Sequence, residues 1–150
     1  MSEQKREFSA KIAETIKTFL EQEEVNFSFG ETQEHGIFNF GIKIGGLIDY
    51  VDCSIRVNAD SYVIHTRPPF RVDTKNQTKM AEMALFMTHA NDLGGGGGYF
   101  FFNERSGEIL YRVYVNCAGG IIPTPELVQN SIDGPCIMFE HYGPEIISIL

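Results

Sequence analysis

The first regular pattern in the chain runs from residue 5 to residue 22 and repeats with the period of an α-helix. Lysines and glutamates separate apolar residues that recur every three or four positions. These apolar positions are Phe8, Ile12, Ile16, Phe19 and Leu20. A helix with one apolar stripe buries that stripe against a core, so the pattern predicts an amphipathic first helix.

From residue 25 to residue 66 apolar and polar residues alternate, which is typical of β-strands with one buried face. We predict strands over residues 25–29, 38–44, 47–57 and 62–66. In the third of these strands the inward side chains are predicted to be Leu47, Val51, Cys53, Ile55 and Val57. Pro68 and Pro69 end the last strand, because proline has no backbone N–H to donate.

The second half of the chain predicts a helix, two strands and a helical C-terminal region. Thr74 and Gln77 have the spacing of a capping box, which would begin a helix that ends near Leu93. Five glycines at 94–98 lead into strands over 99–103 and 108–116 and are interpreted as a flexible connection that tolerates shortening. Thr124-Pro125 begins the last helical region, and Gly-Pro pairs at 134–135 and 143–144 are expected to kink or divide it.

The predicted order is therefore α-β-β-β(-β)-α-β-β-α. Short connections within each group of strands favour antiparallel pairing, because parallel strands need a long crossover. The pattern predicts an α+β fold in which helices pack on one face of an antiparallel sheet. With 150 residues and no linker-like segment, the chain is predicted to form a single domain over residues 1–150.

Several stretches of the second half resemble one family. They are the helix over residues 80–91, the glycine-rich break, the aromatic strand 99–103, the Ser-Gly-Glu-Ile-Leu-Tyr-Arg-Val stretch at 106–113 and the His-Tyr-Gly-Pro-Glu-Ile-Ile ending at 141–147. On these residues the chain resembles YbjN-like proteins, whose fold is shared with type III secretion chaperones. The resemblance implies a secretion-chaperone-like, homodimer-prone domain that binds polypeptides or acts in regulation, without catalytic residues.

Charge and composition limit the classes of partner. The formal net charge is -8, and the twelve lysines and arginines are scattered along the sequence. Nucleic acids and anionic membranes attract clustered cations, so we expect neither as a partner. The polar N-terminus does not have the pattern of a signal peptide, and no apolar run is long enough to span a bilayer. Three widely spaced cysteines without a CxxC pair favour a reducing cytoplasmic location.

The candidate chemical motifs are weak. The glycine run follows a helix and precedes a strand, which is the reverse of a phosphate-binding loop. Cys136, His141 and Glu145 lack the spacing of zinc ligands. Cys53 and Cys117 fall in or beside predicted strands, where thiols are usually inert packing. We therefore predict no catalytic residue, no metal site and no cofactor.

One polar cluster supports an alternative function. His65 and Arg67 share a strand face with Val63, and Asp49 or Asp52 is expected on the neighbouring strand. Such a face would serve a sensor of an anion or another small molecule, although a charged, solvated sheet face is the simpler interpretation. An unrecognised hydrolase is a third hypothesis.

A surplus of apolar residues favours a protein-interaction module that binds a protein or peptide and forms a homodimer. The aromatic strand carries apolar side chains on both faces, and the preceding helix has apolar residues outside its core stripe. A single exposed leucine is also common, so Leu85 alone does not decide the point. The predicted interaction surface consists of Met80, Met83, Leu85, Met87, Phe100 and Phe102.

Overall fold

The computed structural model of the chain describes residues 6–150. In this part of the chain the elements follow the order α-β-β-β-β-α-β-β-α, which confirms the predicted α+β fold. They are α1 (Ala10–Gln22), β1 (Phe27–Glu31), β2 (Gly36–Lys43), β3 (Tyr50–Val57), β4 (Ser61–Arg67), α2 (Gln77–Leu93), β5 (Tyr99–Phe102), β6 (Ile109–Asn116) and α3 (Pro125–Ile149).

The strands form one six-stranded sheet in the order β1-β2-β3-β4-β6-β5, and every neighbouring pair is antiparallel. The first four strands form a meander, since each pairs with the next along the chain. The hairpin of β5 and β6 joins this meander through β6, after the chain has crossed by α2. The arrangement leaves β1 and β5 as the two edge strands.

One face of the sheet holds the core. Every second side chain of β3 is buried, which confirms the predicted inward positions Val51, Cys53, Ile55 and Val57. The three helices contribute apolar side chains to the same buried cluster. The prediction for Leu47 is wrong: it precedes β3 and is 64% exposed, whereas its neighbour Ile48 is buried. We call the opposite side of the sheet the open face.

The helix starts follow side-chain capping. Ser9 caps α1 by accepting from the Ile12 N–H at 3.1 Å, and the part of the first predicted helix that begins at Lys5 lies outside the described residues. Asn76, rather than Thr74, caps α2, so the capping box is wrong. An asparagine caps at least as well as a threonine, and this explains the shift of two residues. Thr124 caps α3 with proline at its first position, as predicted.

Helix α3 is continuous from Pro125 to Ile149, so of the two predicted effects of the Gly-Pro pairs, a kink or a division, the division is wrong. An internal proline costs about 3 kcal/mol, chiefly because one backbone hydrogen bond is lost. Here Pro135 lies among side chains that are buried along most of the helix, including Val128, Phe139 and Ile146. Burial of these side chains against the sheet outweighs the local preference of proline.

The glycine run at 94–98 packs against α3 and β6. A Cβ atom on Gly134 of α3 would clash with the carbonyl oxygen of Gly96, so the two backbones touch at a position where only glycine fits. A Cβ atom on Gly98 would clash in the same way with the carbonyl oxygen of Arg112. The interpretation of the run as a flexible connection that tolerates shortening does not fit this packing.

Candidate interaction surfaces

The structure places most of the predicted interaction residues in the core. Met80, Met83, Met87 and Phe100 are all buried, so their side chains offer almost no surface in the monomer. The prediction that these four residues form an exposed interaction surface is therefore wrong, because they belong to the core. The side of α2 that packs against the sheet is formed by its methionines, whose flexible side chains fill the space between the helix and the strands.

Leu85 is the exception, because it lies on the outer side of α2 with 73% of its surface exposed. Phe102 is half-buried and lines a groove between α2 and β5. The groove has a volume of about 590 Å³, and Ala84, Met87 and the segment 99–105 line it. Leu85 is not among its lining residues. The structure therefore separates the predicted surface into an exposed leucine and a neighbouring groove.

Asn91 of α2 closes the outer edge of β5. The backbone N–H of Phe100 donates to Asn91 Oδ1 at 2.6 Å, and Asn91 Nδ2 donates to the carbonyl oxygen of Phe100 at 2.9 Å. One side-chain amide thus makes the pair of bonds that a neighbouring strand would make. An added strand would have to displace α2, so this edge is closed where Asn91 binds it.

The hydrogen-bond pattern of β1 follows from its hairpin with β2. Thr32 N–H donates to the carbonyl oxygen of His35 at 2.8 Å at the mouth of the turn. Hydrogen-bonded and non-hydrogen-bonded pairs alternate along an antiparallel ladder. Ser28 and Gly30 therefore bond to β2, and the backbone groups of the intervening residues point to the outer side.

The outer edge of β1 is open in the part of the chain that the structure describes. The backbone groups of Phe27, Phe29 and Glu31 point outward, and no strand of residues 6–150 pairs with them. All of β1 except Phe27 is exposed, and Gly30 has no non-neighbouring atom within 4 Å of its Cβ position. The strand has no proline, lysine or bulge of the kind that protects natural edge strands. It can accept a further strand without rearrangement of the described fold.

The open face carries aromatic and cationic side chains together. The exposed aromatic residues are Tyr50, Tyr99, Phe101 and Tyr114. The cationic residues are Lys43, Arg56, Arg67 and Arg112. Two carboxylates, Asp52 and Glu108, accompany them, so this face is cationic although the chain as a whole carries a net charge of -8. None of the helices covers it.

Arg112 is the centre of a hydrogen-bonded row across three strands. Its Nε donates to His65 Nε2 at 2.9 Å, and its Nη1 donates to the Tyr99 hydroxyl at 3.1 Å. The guanidinium carbon also lies 5.1 Å from the ring centroid of Phe101. Cation–π contacts of this kind are favourable and hold the side chain in place. The charged group is therefore fixed on the open face.

The predicted His65–Arg67 cluster exists, and Asp52 lies opposite Arg67 on the neighbouring strand as expected. The carboxylate that pairs with the arginine is a further one, that of Glu108. The pKa of His65 is lowered to about 4, first by burial and then by the guanidinium groups of Arg112, Arg67 and Arg56. Arg67 Nε donates to Glu108 Oε1 at 3.0 Å. A carboxylate of the protein already occupies the position that an anion would take at Arg67.

The thiols are buried, and burial disfavours the thiolate form. Burial is the main cause that raises the pKa of Cys53, Cys117 and Cys136, in the last case to about 12. A thiolate is the reactive form of cysteine, so these residues lack the property of a nucleophile. Within residues 6–150 no three His, Cys, Asp or Glu side chains come together as metal ligands.

Neither edge of the sheet is predicted from the sequence. In the sequence, Asn91 looks like an ordinary polar residue near the end of a helix. Its partner, Phe100, lies beyond the glycine run, so the pair of hydrogen bonds has no local sequence signal. The exposed edge of β1 depends on which strands pair, and a strand pattern does not contain that information. Its only sequence signal was negative, since the Phe-Ser-Phe-Gly-Glu stretch lacks proline and lysine.

No model of a protein family matches this chain, and no curated protein matches it either. The resemblance to YbjN-like proteins therefore stays a prediction. None of the helices within residues 6–150 is long and apolar enough to cross a lipid bilayer.

Proposed function

We propose that this domain is a non-enzymatic interaction module that binds a polypeptide by adding it as a strand to the outer edge of β1. The observation that carries the proposal is the contrast between its edges: a side chain of the protein closes β5, whereas no strand of residues 6–150 pairs with the outer side of β1. Strand addition draws affinity from main-chain hydrogen bonds and specificity from alternate side chains.

Apolar and charged side chains next to β1 would contact alternate side chains of a partner strand. Phe29 points to the core side of the sheet, where its ring centroid lies 4.6 Å from that of Phe38. Both rings line a cavity of about 230 Å³ between α1 and the sheet, and the charged residues that line it are Arg6, Glu14, Lys17 and Glu31. An added strand would place every second side chain beside this cavity, since side chains alternate along a strand.

A matched pair of variants tests the proposal. The backbone N–H of Glu31 points outward, so Glu31→Pro removes a donor to an added strand without removing a bond to β2. Glu31→Ala removes the same side chain and its ion pair with Arg6 but keeps the N–H. Peptides selected from a random twelve-residue library on the unmodified protein should bind Glu31→Pro about tenfold more weakly, the equivalent of 1.4 kcal/mol, and bind Glu31→Ala almost normally.

Backbone amide exchange locates the bound peptide independently of the variants. The amides of Phe27 and Phe29 should exchange quickly in the free protein and slowly in the complex, because only an added strand accepts their hydrogens. Selected peptides that leave these amides unchanged and bind Glu31→Pro normally would show that the binding site lies elsewhere.

The module is also proposed to form a homodimer through the outer side of α2. The support is the exposure of Leu85 beside the groove between α2 and β5, since natural interfaces bury apolar residues of this kind. The closed edge of β5 directs association on this side to side chains rather than to strand pairing. Sedimentation of the protein at micromolar concentration tests the oligomeric state.

The alternative, an anion or small-molecule sensor at His65 and Arg67, draws support from the arginines around His65. A depression of about 290 Å³ lies beside Arg67, but Asp52 also lines it and Glu108 pairs with the arginine. Binding of inorganic phosphate or a dicarboxylate that Arg67→Gln abolishes would favour the sensor over the interaction module.

A further inference from the structure

We propose that the open face binds an acidic polypeptide segment whose carboxylates contact Arg56 and Arg112 and whose apolar side chains pack on the aromatic residues of β5 and β6. The inference rests on the proposed role in polypeptide binding but uses a surface separate from the outer edge of β1. Strand addition at β1 supplies backbone bonds, whereas the open face would select the partner by charge.

The open face has an excess of positive charge, whereas the chain as a whole is acidic. The sequence has twenty acidic and twelve basic residues, so an average surface of this protein repels an acidic partner. The open face departs from that average, because four cations lie there with two carboxylates. A local excess of cations on an acidic protein complements an acidic segment.

The arginines of the open face differ in whether a carboxylate of the protein neutralises them. Arg67 is neutralised by Glu108, whereas neither Arg56 nor Arg112 has a carboxylate within 4.0 Å in residues 6–150. The hydrogen bonds of Arg112 go to the neutral groups of His65 and Tyr99. A guanidinium held in one orientation by neutral partners binds a carboxylate with little loss of side-chain entropy.

Aromatic residues lie beside Arg112 on the open face and offer apolar contacts next to its charge. Tyr99 is paired with Arg112 across β5 and β6, and Phe101 is paired with the buried Leu110 one row further on. Tyr114 lies two residues from Arg112 on the same face and is 57% exposed. Charged and apolar contacts therefore alternate at about the spacing of two residues along a strand, roughly 7 Å. An extended segment in which every second residue is acidic and aromatic in turn, with small neutral residues between them, matches this spacing, because residues i and i+2 point to the same face.

Other occupants fit the face less well. A second copy placed face to face would bring Arg56 and Arg112 next to the same cations of its partner. A nucleic acid carries a charge on every nucleotide, and its phosphates would also meet Asp52 and Glu108. A peptide can place carboxylates at two positions and neutral residues at the others, so it avoids both conflicts.

Fluorescence anisotropy tests the proposal with a labelled twelve-residue peptide that repeats Glu-Ser-Tyr-Ser, called the Glu-Tyr peptide below, which presents Glu and Tyr in turn on one face. Arg56→Gln and Arg112→Gln should each weaken its binding about tenfold, whereas Lys11→Gln, an equal change of charge on exposed α1, should leave it within about twofold. A peptide that repeats Lys-Ser-Tyr-Ser and a twelve-residue oligothymidine serve as controls. Higher salt should weaken the binding of the Glu-Tyr peptide.

The outcomes separate this proposal from the proposed function. The inference is supported if the two arginine variants lose binding and Glu31→Pro keeps it. It is overturned if the Glu-Tyr peptide does not bind, if Lys11→Gln weakens binding as much as the arginine variants, or if oligothymidine binds more tightly. If only Glu31→Pro weakens binding, the peptide lies on β1, so strand addition stands and the open-face site does not. Since Arg56 is exposed and makes no ion pair with residues 6–150, Arg56→Gln tests the site even if Arg112→Gln unfolds.

Discussion

The two edges of the sheet are built from similar aromatic strands, and they differ in what lies beside them. Phe100 of β5 bonds through both its backbone groups to Asn91, whereas the backbone groups of Phe29 in β1 have no strand partner on their outer side within residues 6–150. The side of β5 is further fixed by α2 and by the packed glycine run. An exposed edge strand promotes aggregation, so a fold that closes one edge and leaves the other is consistent with a partner at the open one.

The largest effect is expected from Gly134→Ala, which tests the packing of the glycine run against α3 on the side of the sheet next to β5, called the closed side below. Alanine in a helix is normally more stable than glycine by about 1 kcal/mol. At Gly134 the added methyl would clash with the backbone of Gly96, so we expect a loss of about 3 kcal/mol in the free energy of unfolding. Urea titration followed by circular dichroism measures the change.

The matched control is Gly143→Ala in the same helix. Gly143 also precedes a proline, but the nearest atom to its Cβ position is the Ile48 Cγ1 at 3.4 Å, the far part of a side chain. We expect this variant to lie within about 1 kcal/mol of the unmodified protein. Equal effects of the two substitutions would contradict a specific contact between α3 and the glycine run.

The next effect concerns the side chain that closes β5. Asn91→Ala leaves the N–H and C=O of Phe100 without partners, and this should cost about 2 kcal/mol in the free energy of unfolding. It also creates a second open edge, so light scattering should show larger assemblies than those of the unmodified protein. Asp92→Ala, one residue along the same helix, is the control. A stable, monodisperse Asn91→Ala protein would mean that α2 itself, rather than this amide, shields the edge.

These residues show how far the sequence reaches. The order of elements and the inward residues of β3 follow from alternation and helical spacing, because both patterns are local. The contact of Gly96 with Gly134 and the hydrogen bonds of Asn91 join residues that are separated in the sequence, so a local sequence pattern cannot predict them. The methionines of α2 were misplaced for the same reason: an apolar arc does not say whether a strand or a partner covers it.

Leu85 tests whether the closed side associates through its side chains. Burial of a leucine contributes about 1.5–3 kcal/mol, so Leu85→Glu should weaken a dimer at α2 at least tenfold. Sedimentation velocity at a series of concentrations measures the shift. Leu47→Glu, at another exposed leucine, should have no effect. A monomer at all concentrations would remove the homodimer, and a dimer that Leu85→Glu leaves intact would place the interface elsewhere.

The smallest expected effect lies between the two edges, at His65 on the open face. Its pKa is lowered from near 6.5 to about 4, so between these values the unfolded chain binds more protons than the folded one. The contribution of His65 therefore makes the free energy of unfolding fall as pH decreases from 6.5 toward 4. Protonation would also remove the acceptor for Arg112 Nε.

Substitution isolates that contribution. His65→Gln cannot be protonated but can still accept a hydrogen bond from Arg112, so the dependence of stability on pH should become shallower in this range. His89→Gln changes an exposed histidine of α2 and serves as the control. Urea midpoints at pH 7, 6, 5 and 4.5 measure the slope. If His65→Gln and the unmodified protein keep parallel slopes, His65 is not held neutral among the arginines, and the preorganisation of Arg112 on the open face loses its main support.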